Sequence, residues 1–227
     1  MDPEDRTKAS ETKKLWVDVG TSSKDEVGQL GMRVGDPMVV SQGMVRLAGD
    51  RIASRAIDDR VGAFVVLEAI RMLAGDPPAA CATAVATVQE EIGYTGGGAM
   101  SSAYALEPDV AIVVDVTFST DVPDVEKKEL GDHQLGGGPV LSRGSAAHDG
   151  VFEMLAGVAE DEGIPYTIQA SPRATRTDAD GLFLSRAGVP TGLVAIPNRY
   201  MPPPHQILTL QHPSNSAPLF PPFPRSH

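Results

Sequence analysis

The residue types with the most obvious chemical potential are two adjacent acids, Glu90 and Glu91, set between the run Cys81–Val88 and a glycine-rich turn that reaches Gly98. The run is apolar and built largely of small residues, and Ala82 to Val88 reads as a buried strand. Paired carboxylates at the end of a buried strand are costly unless something compensates their charge. A solvated strand end does that, and so does a metal ion. Two other acidic positions bear on the choice. Asp58 and Asp59 directly precede Arg60 to Leu73, where Val61, Phe64, Val65, Ile70 and Leu73 recur at helical spacing. Acids there also have an ordinary role at the positive end of a helix dipole. Asp115 interrupts the apolar strand Ala111-Ile112-Val113-Val114-Asp115-Val116, where a carboxylate needs a partner.

In open α/β sheets ligand sites gather at the carboxyl ends of the strands, and acids from three such places could converge on a cation. One aspartate can bridge two metal ions at a separation of roughly 3.5–4 Å. A second glutamate beside a ligand glutamate is then free to take a proton from water. That division of labour accounts for Glu90 and Glu91 better than a solvated turn does.

The elements that must position these acids follow from periodicity and punctuation. Lys14 to Val19 and Pro37 to Val40 read as strands. Ser22-Ser23-Lys24-Asp25-Glu26 reads as a capped helix start, with that helix ending at Gly31. After about residue 50, helices and short apolar strands alternate: helix Arg60 to Leu73, strand Ala82 to Val88, strand Val110 to Val116, helix Phe152 to Asp161, strand Tyr166 to Gln169, helix Leu182 to Ala187 and strand Gly192 to Ile196. The pattern predicts an α/β layered domain over 51–200 with a largely buried sheet. Residues 1–50 read as part of a small β-rich domain. Residues 201–227 carry eight prolines and no periodic apolar face, and are expected to be extended or disordered.

Composition narrows the function. With 41% hydrophobic and 22% charged residues and a formal net charge of -11, the 227-residue chain reads as an ordinary globular protein with no basic patch for nucleic acid. The acidic N-terminus is no secretory signal, and no apolar run is long enough to span a bilayer, so a cytoplasmic location is expected. The single cysteine, Cys81, reads as an inert buried thiol.

Taken together, Ala56-Ile57-Asp58-Asp59-Arg60-Val61-Gly62, Gln89-Glu90-Glu91-Ile92-Gly93 and Val114-Asp115-Val116-Thr117 resemble the tetrahedral (TET-type) co-catalytic metalloaminopeptidases, the glutamyl and deblocking aminopeptidase group. Gly136-Gly137-Gly138-Pro139-Val140, Thr177-Asp178-Ala179, Ala187-Gly188-Val189-Pro190-Thr191-Gly192 and Pro197-Asn198-Arg199-Tyr200 support the resemblance in order, from about Leu15 to Tyr200. It implies a zinc-peptidase α/β three-layer sandwich with a mixed sheet, and residues 1–50 as the last part of an inserted β-rich dimerisation domain. It implies two divalent metal ions, zinc or cobalt, with Asp58 bridging, Glu91 on one metal, Asp115 on the other and Glu90 as general base. The implied reaction is water attack on the N-terminal peptide bond of short peptides, by a homo-oligomer.

The chain departs from that family in two places. The family takes one histidine ligand from a His-x-Asp motif, and none occurs here; its last histidine ligand would fall at Pro202. His205 stands three residues further on, and three prolines advance an extended chain by about 9 Å, whereas a ligand bond tolerates only tenths of an ångström. His133, His148, His212 and His227 are expected at the surface. The chain therefore reads as a truncated member with impaired activity, and a shifted reading frame near Tyr200 would explain the proline-rich end. A non-catalytic subunit associating with a full-length relative is the alternative, and another metal-dependent hydrolase, such as a glycosidase, is the weaker one.

Overall fold

The computed structural model describes residues 11–75, 77–92, 97–123, 125–201, 205–211 and 216–219. The chain divides into two units, residues 1–41 and 42–227. In the first, a short 3-10 turn, Thr12–Lys14, precedes helix α1, Lys24–Gln29. The Ser23 hydroxyl accepts the Glu26 N–H at 3.2 Å, the capping that the sequence predicts. The strands expected at 14–19 and 37–40 do not form, and both segments are almost wholly exposed. No described residue of this unit is buried, and among the described residues no strand supplies the hydrogen-bonded neighbour that these segments require.

The second unit is built around a four-stranded mixed sheet. Its strands are β3 (Ala111–Phe118), β4 (Val140–Gly144), β5 (Thr167–Ser171) and β6 (Thr191–Asn198), in the order β3-β6-β4-β5. The β3–β6 and β4–β5 pairs are parallel and β4–β6 is antiparallel. A three-stranded antiparallel sheet joins β1 (Val45–Arg46), β2 (Arg51–Ser54) and β7 (Gln206–Thr209).

Alternation along β3 and β6 sets the layers. Val114, Val116, Val194 and Ile196 share one face, and α2 (Ile57–Leu73) and α5 (Asp149–Asp161) cover it. Ile57, Val61, Val65 and Ala69 recur every four residues along α2 and are all buried. Val113 and Leu193 point to the opposite face, where they meet Ala179 of the short helix α6 (Ala179–Leu182). Helices α3 (Gly97–Leu106) and α4 (Lys127–Leu130) complete the described set. The result is the three-layer α/β arrangement with a mixed sheet. Among the described residues, no helix is long and apolar enough to cross a membrane.

Other expectations change as well. Residues 82–88 form no strand and are mostly exposed, because among the described residues no strand pairs with them; Cys81 is therefore exposed rather than buried. The helix expected at Leu182 to Ala187 sits earlier, as α6. There the Asp180 carboxylate accepts the Thr175 and Arg176 N–H groups, at 2.9 and 2.8 Å, and sets the turn. The proline-rich end does not lie wholly outside the fold. Strand β7 pairs with β2 as an edge strand, the position proline-rich sequence tolerates, and Leu208, Ala217 and Leu219 are buried in the core. His133 is 1% exposed rather than at the surface, because both ring nitrogens find partners: Thr167 Oγ1 and the Leu130 carbonyl, each at 2.7 Å. His148 is exposed as expected, while His212 and His227 lie outside the described residues.

Two substitutions test this core. Gly138 has φ +96°, and a Cβ there would lie 1.8 Å from the Pro165 carbonyl oxygen, beside the Thr167 N–H to Pro139 carbonyl bond that opens the β4–β5 pairing. Gly138→Ala should lower unfolding stability by about 2–4 kcal/mol in urea titrations, from backbone strain and overpacking. Asn198 is fully buried on the Ile196 face, and among the described residues neither its side-chain nitrogen nor its oxygen has a partner. A buried amide without hydrogen bonds costs roughly 1–3 kcal/mol. Asn198→Val should therefore raise the urea midpoint, and an unchanged or lower midpoint would contradict the orphaned state.

Candidate metal centre

Six carboxylates meet where α2 begins, where β3 runs, in the turn after residue 88 and ahead of α6: Asp58, Asp59, Asp115, Glu90, Glu91 and Asp178. Asp58 and Asp59 come before the regular helical turns of α2, since both have non-helical backbone angles. Asp59 Oδ1 accepts the Gly62 N–H at 2.9 Å and so caps the regular part of the helix. Arg60 holds the approach by donating to the Ala56 and Arg55 carbonyls at 2.8 and 2.7 Å. The Asp58 N–H donates to Gln206 Oε1 at 2.9 Å, and Gln206 Nε2 donates to the Met201 carbonyl at 3.0 Å. A residue of the proline-rich end thus pins the backbone of a site acid.

Carboxylate oxygens of Asp58, Asp59 and Asp115 all lie within 4.8 Å of one another. Asp115 Oδ1 also accepts the Val116 N–H at 2.7 Å. Glu91 is within hydrogen-bonding reach of Asp58. Glu90 stands near enough to Asp178, Glu91 and Asp58 to feel their charges, and the Thr87 hydroxyl donates to Asp178 Oδ2.

The electrostatics of this group are those of anions without a counter-charge. Burial, then the charge of Asp115, pushes Asp59 up to about 9. Burial, then the charges of Asp58, Glu90 and Asp178, pushes Asp115 up to about 8. Burial and the charge of Asp178 raise Glu90 to about 7. Asp58, Glu91 and Asp178 are also raised, chiefly by burial. Asp121 shows the opposite case: bonded by Arg199, it is lowered to about 2. Among the described residues, no ion pair involves any of the six acids. Such a group is stabilised by a cation or by holding protons.

Of the residues singled out in the sequence, Asp58, Asp115, Glu90 and Glu91 are brought together. Asp59, Asp178, Thr87 and Gln206 join them without having been assigned a site role; for Asp59 and Asp178 the only signal was their place in motifs already noted. His205 does not join the acids, because its Nε2 is paired with Gln42 Oε1 at 2.6 Å. The donor set fits an oxygen-liganded divalent cation. Gly62 is part of that fit, because a Cβ there would lie 2.1 Å from Asp59 Oδ2 and displace the carboxylate. A zinc pair with two imidazole ligands does not fit the described residues.

The profile of the M42 glutamyl aminopeptidases matches residues 1–219. The chain belongs to the M42 glutamyl aminopeptidase family. A lysyl aminopeptidase of Pyrococcus furiosus is 37% identical over 187 residues, covering 82% of this chain and 52% of that relative. Among solved structures, an aminopeptidase from the archaeon Desulfurococcus kamchatkensis aligns with TM-score 0.86 and 39% identity, over 96% of this chain and 61% of the other. A TET aminopeptidase from a marine sediment archaeon of the Thaumarchaeota gives TM-score 0.86 and 32% identity, over 96% of this chain and 62% of the other. This M42 chain thus spans between half and two thirds of the length of these relatives. The Pyrococcus horikoshii TET1 peptidase, which can assemble into a tetrahedron or an octahedral shell, shares the fold at TM-score 0.67 and 24% identity.

Proposed function

We propose that this chain carries the carboxylate side of a metal-dependent aminopeptidase centre, acting on the N-terminal peptide bond of short peptides. The observation that carries the reading is the convergence of Asp58, Asp59 and Asp115 oxygens within 4.8 Å, with Glu90 and Glu91 against them, in an M42 chain. Asp58, Glu91 and Asp115 would hold the metal, which in such hydrolases polarises the scissile carbonyl and makes water a better nucleophile. Glu90 is the general base: it takes a proton from the attacking water and passes it to the leaving amine. Its pKa of about 7 lies where a carboxylate can do both near neutral pH. Thr87 fixes Asp178, whose charge contributes to that elevation.

The family resemblance puts zinc or cobalt here as a pair, with imidazole ligands that the described residues do not supply, so activity of this chain alone is expected to be weak. A cytoplasmic location and assembly into a homo-oligomer or with a full-length relative go with this reading. The test is release of free amino acids from short peptides, with N-acetylated versions as the control, by chain loaded with zinc, cobalt or manganese. Release from free N-termini alone supports the reading. No release with any metal means that the chain acts as a non-catalytic subunit or fragment.

A further inference from the structure

The donor atoms that surround the centre bear on which cation this chain holds. Two ligand oxygens on opposite sides of a small divalent ion are separated by about 4–5 Å at bond lengths near 2.0–2.5 Å. The Asp58, Asp59 and Asp115 oxygens, all within 4.8 Å of one another, can therefore share one coordination sphere. Asp59 is held for that purpose by its bond to Gly62 N–H, over a glycine that leaves the room its carboxylate occupies. A carboxylate has lone pairs for both the N–H and a cation.

Among the described residues, the histidine and cysteine donors are committed elsewhere or stand apart from the acids. Both His133 ring nitrogens are engaged, His205 Nε2 is paired with Gln42, and His148 is exposed ahead of α5. Cys81 is exposed and lies outside the acidic group. Proline occupies position 202, where the resemblance expects an imidazole. Oxygen-only donor sets belong to magnesium, manganese and calcium, whereas catalytic zinc centres draw on imidazole.

We propose that this chain binds one oxygen-preferring divalent cation of the manganese or magnesium class, with Asp59 as a ligand beside Asp58 and Asp115. The inference rests on the metal-centre part of the proposed function and adds to it a ligand and a metal class.

The test uses the untagged, chelator-treated full chain titrated with Mn2+. Loss of the free-ion signal in electron paramagnetic resonance counts the sites, and pulsed measurements read nitrogen coupling at the bound ion. One site per chain, no coupling from a bound imidazole nitrogen, and a loss of affinity of at least about tenfold in Asp59→Asn are expected, since even outer partners of a metal site cost 10–100-fold. Gly62→Ala keeps the Asp59 charge but displaces its carboxylate, and should lose at least about tenfold as well. Circular dichroism checks the fold of each variant, so if Asp59→Asn unfolds, Gly62→Ala decides the ligand. Two sites, imidazole coupling, no binding at millimolar Mn2+, or unchanged affinity in the folded variants would overturn the inference. Manganese binding without peptide hydrolysis removes only the aminopeptidase reading. Hydrolysis by an imidazole-bound zinc removes only this inference.

Discussion

Without divalent metal, the folded chain should lose stability steadily as the pH rises from about 4 to about 9. Asp59 and Asp115 start from an ordinary carboxylate value of 3.8 and reach about 9 and about 8 in the fold, through burial and mutual repulsion. Between those limits the folded state keeps protons that the unfolded chain has released, so each rise in pH favours unfolding. The contribution is fully present below about pH 4 and is gone once the pH passes the folded values. Each group costs about 1.4 kcal/mol per pH unit while the folded state keeps a proton that the unfolded chain has lost, so the two together amount to on the order of 10 kcal/mol across that range. Glu90, raised to about 7 but more open to solvent, adds less. Saturating Mn2+ should offset part of the loss, because metal binding requires the deprotonated ligands and strengthens as the pH rises. At a hundred times the dissociation constant, the ion adds about 2.7 kcal/mol. Urea midpoints at acid, neutral and alkaline pH, with chelator and with Mn2+, measure both effects. A midpoint that holds level or climbs with pH in chelator would contradict the arrangement of these acids.

The second large effect is on rate. Glu90→Gln keeps the size of the side chain and its place beside Asp178 and Glu91, but removes the proton acceptor. In whichever metal-loaded form releases amino acids, it should lower kcat by about 10²–10⁴-fold, the usual contribution of a general base. Metal content should stay close to that of the parent chain. Glu91→Gln is the counterpart: assigned to the metal, it should reduce bound metal at the same time as rate. Metal analysis beside steady-state kinetics separates the two. Equal loss of metal in both variants would remove the distinction between base and ligand.

How far the site could be read from sequence depended on what each residue is required to do locally. Asp115 was visible because a carboxylate inside an apolar strand has few explanations. Asp58, Glu90 and Glu91 were visible because acids cluster next to apolar segments in a family-like order. Asp59 was visible only as a helix-start residue, which it also is: the same carboxylate caps α2 and faces Asp58 and Asp115. Gln206 carried no signal, since its bond to the Asp58 backbone links residues far apart in the chain. His133, in a polar stretch, gave no sign of burial, because its partners Leu130 and Thr167 are brought to it by α4 and by β5.

The same divide applies to the fold. Periodicity marked α2, α5, β3 and β6 within a few residues, because each buries one face and repeats the matching pattern. It misplaced 82–88, 14–19 and 37–40, which are apolar enough for strands but have no paired neighbour among the described residues, and it missed β7, which is proline-flanked but pairs with β2. The sequence by itself determined the α/β class, the family and four of the converging acids, Asp58, Glu90, Glu91 and Asp115, because composition and local order are enough for those. Only the tertiary structure decided that Asp59 joins Asp58 and Asp115, that no described imidazole does, and that the proline-rich end helps hold the centre. Those facts depend on distances between segments remote in sequence, and local propensity does not encode such distances.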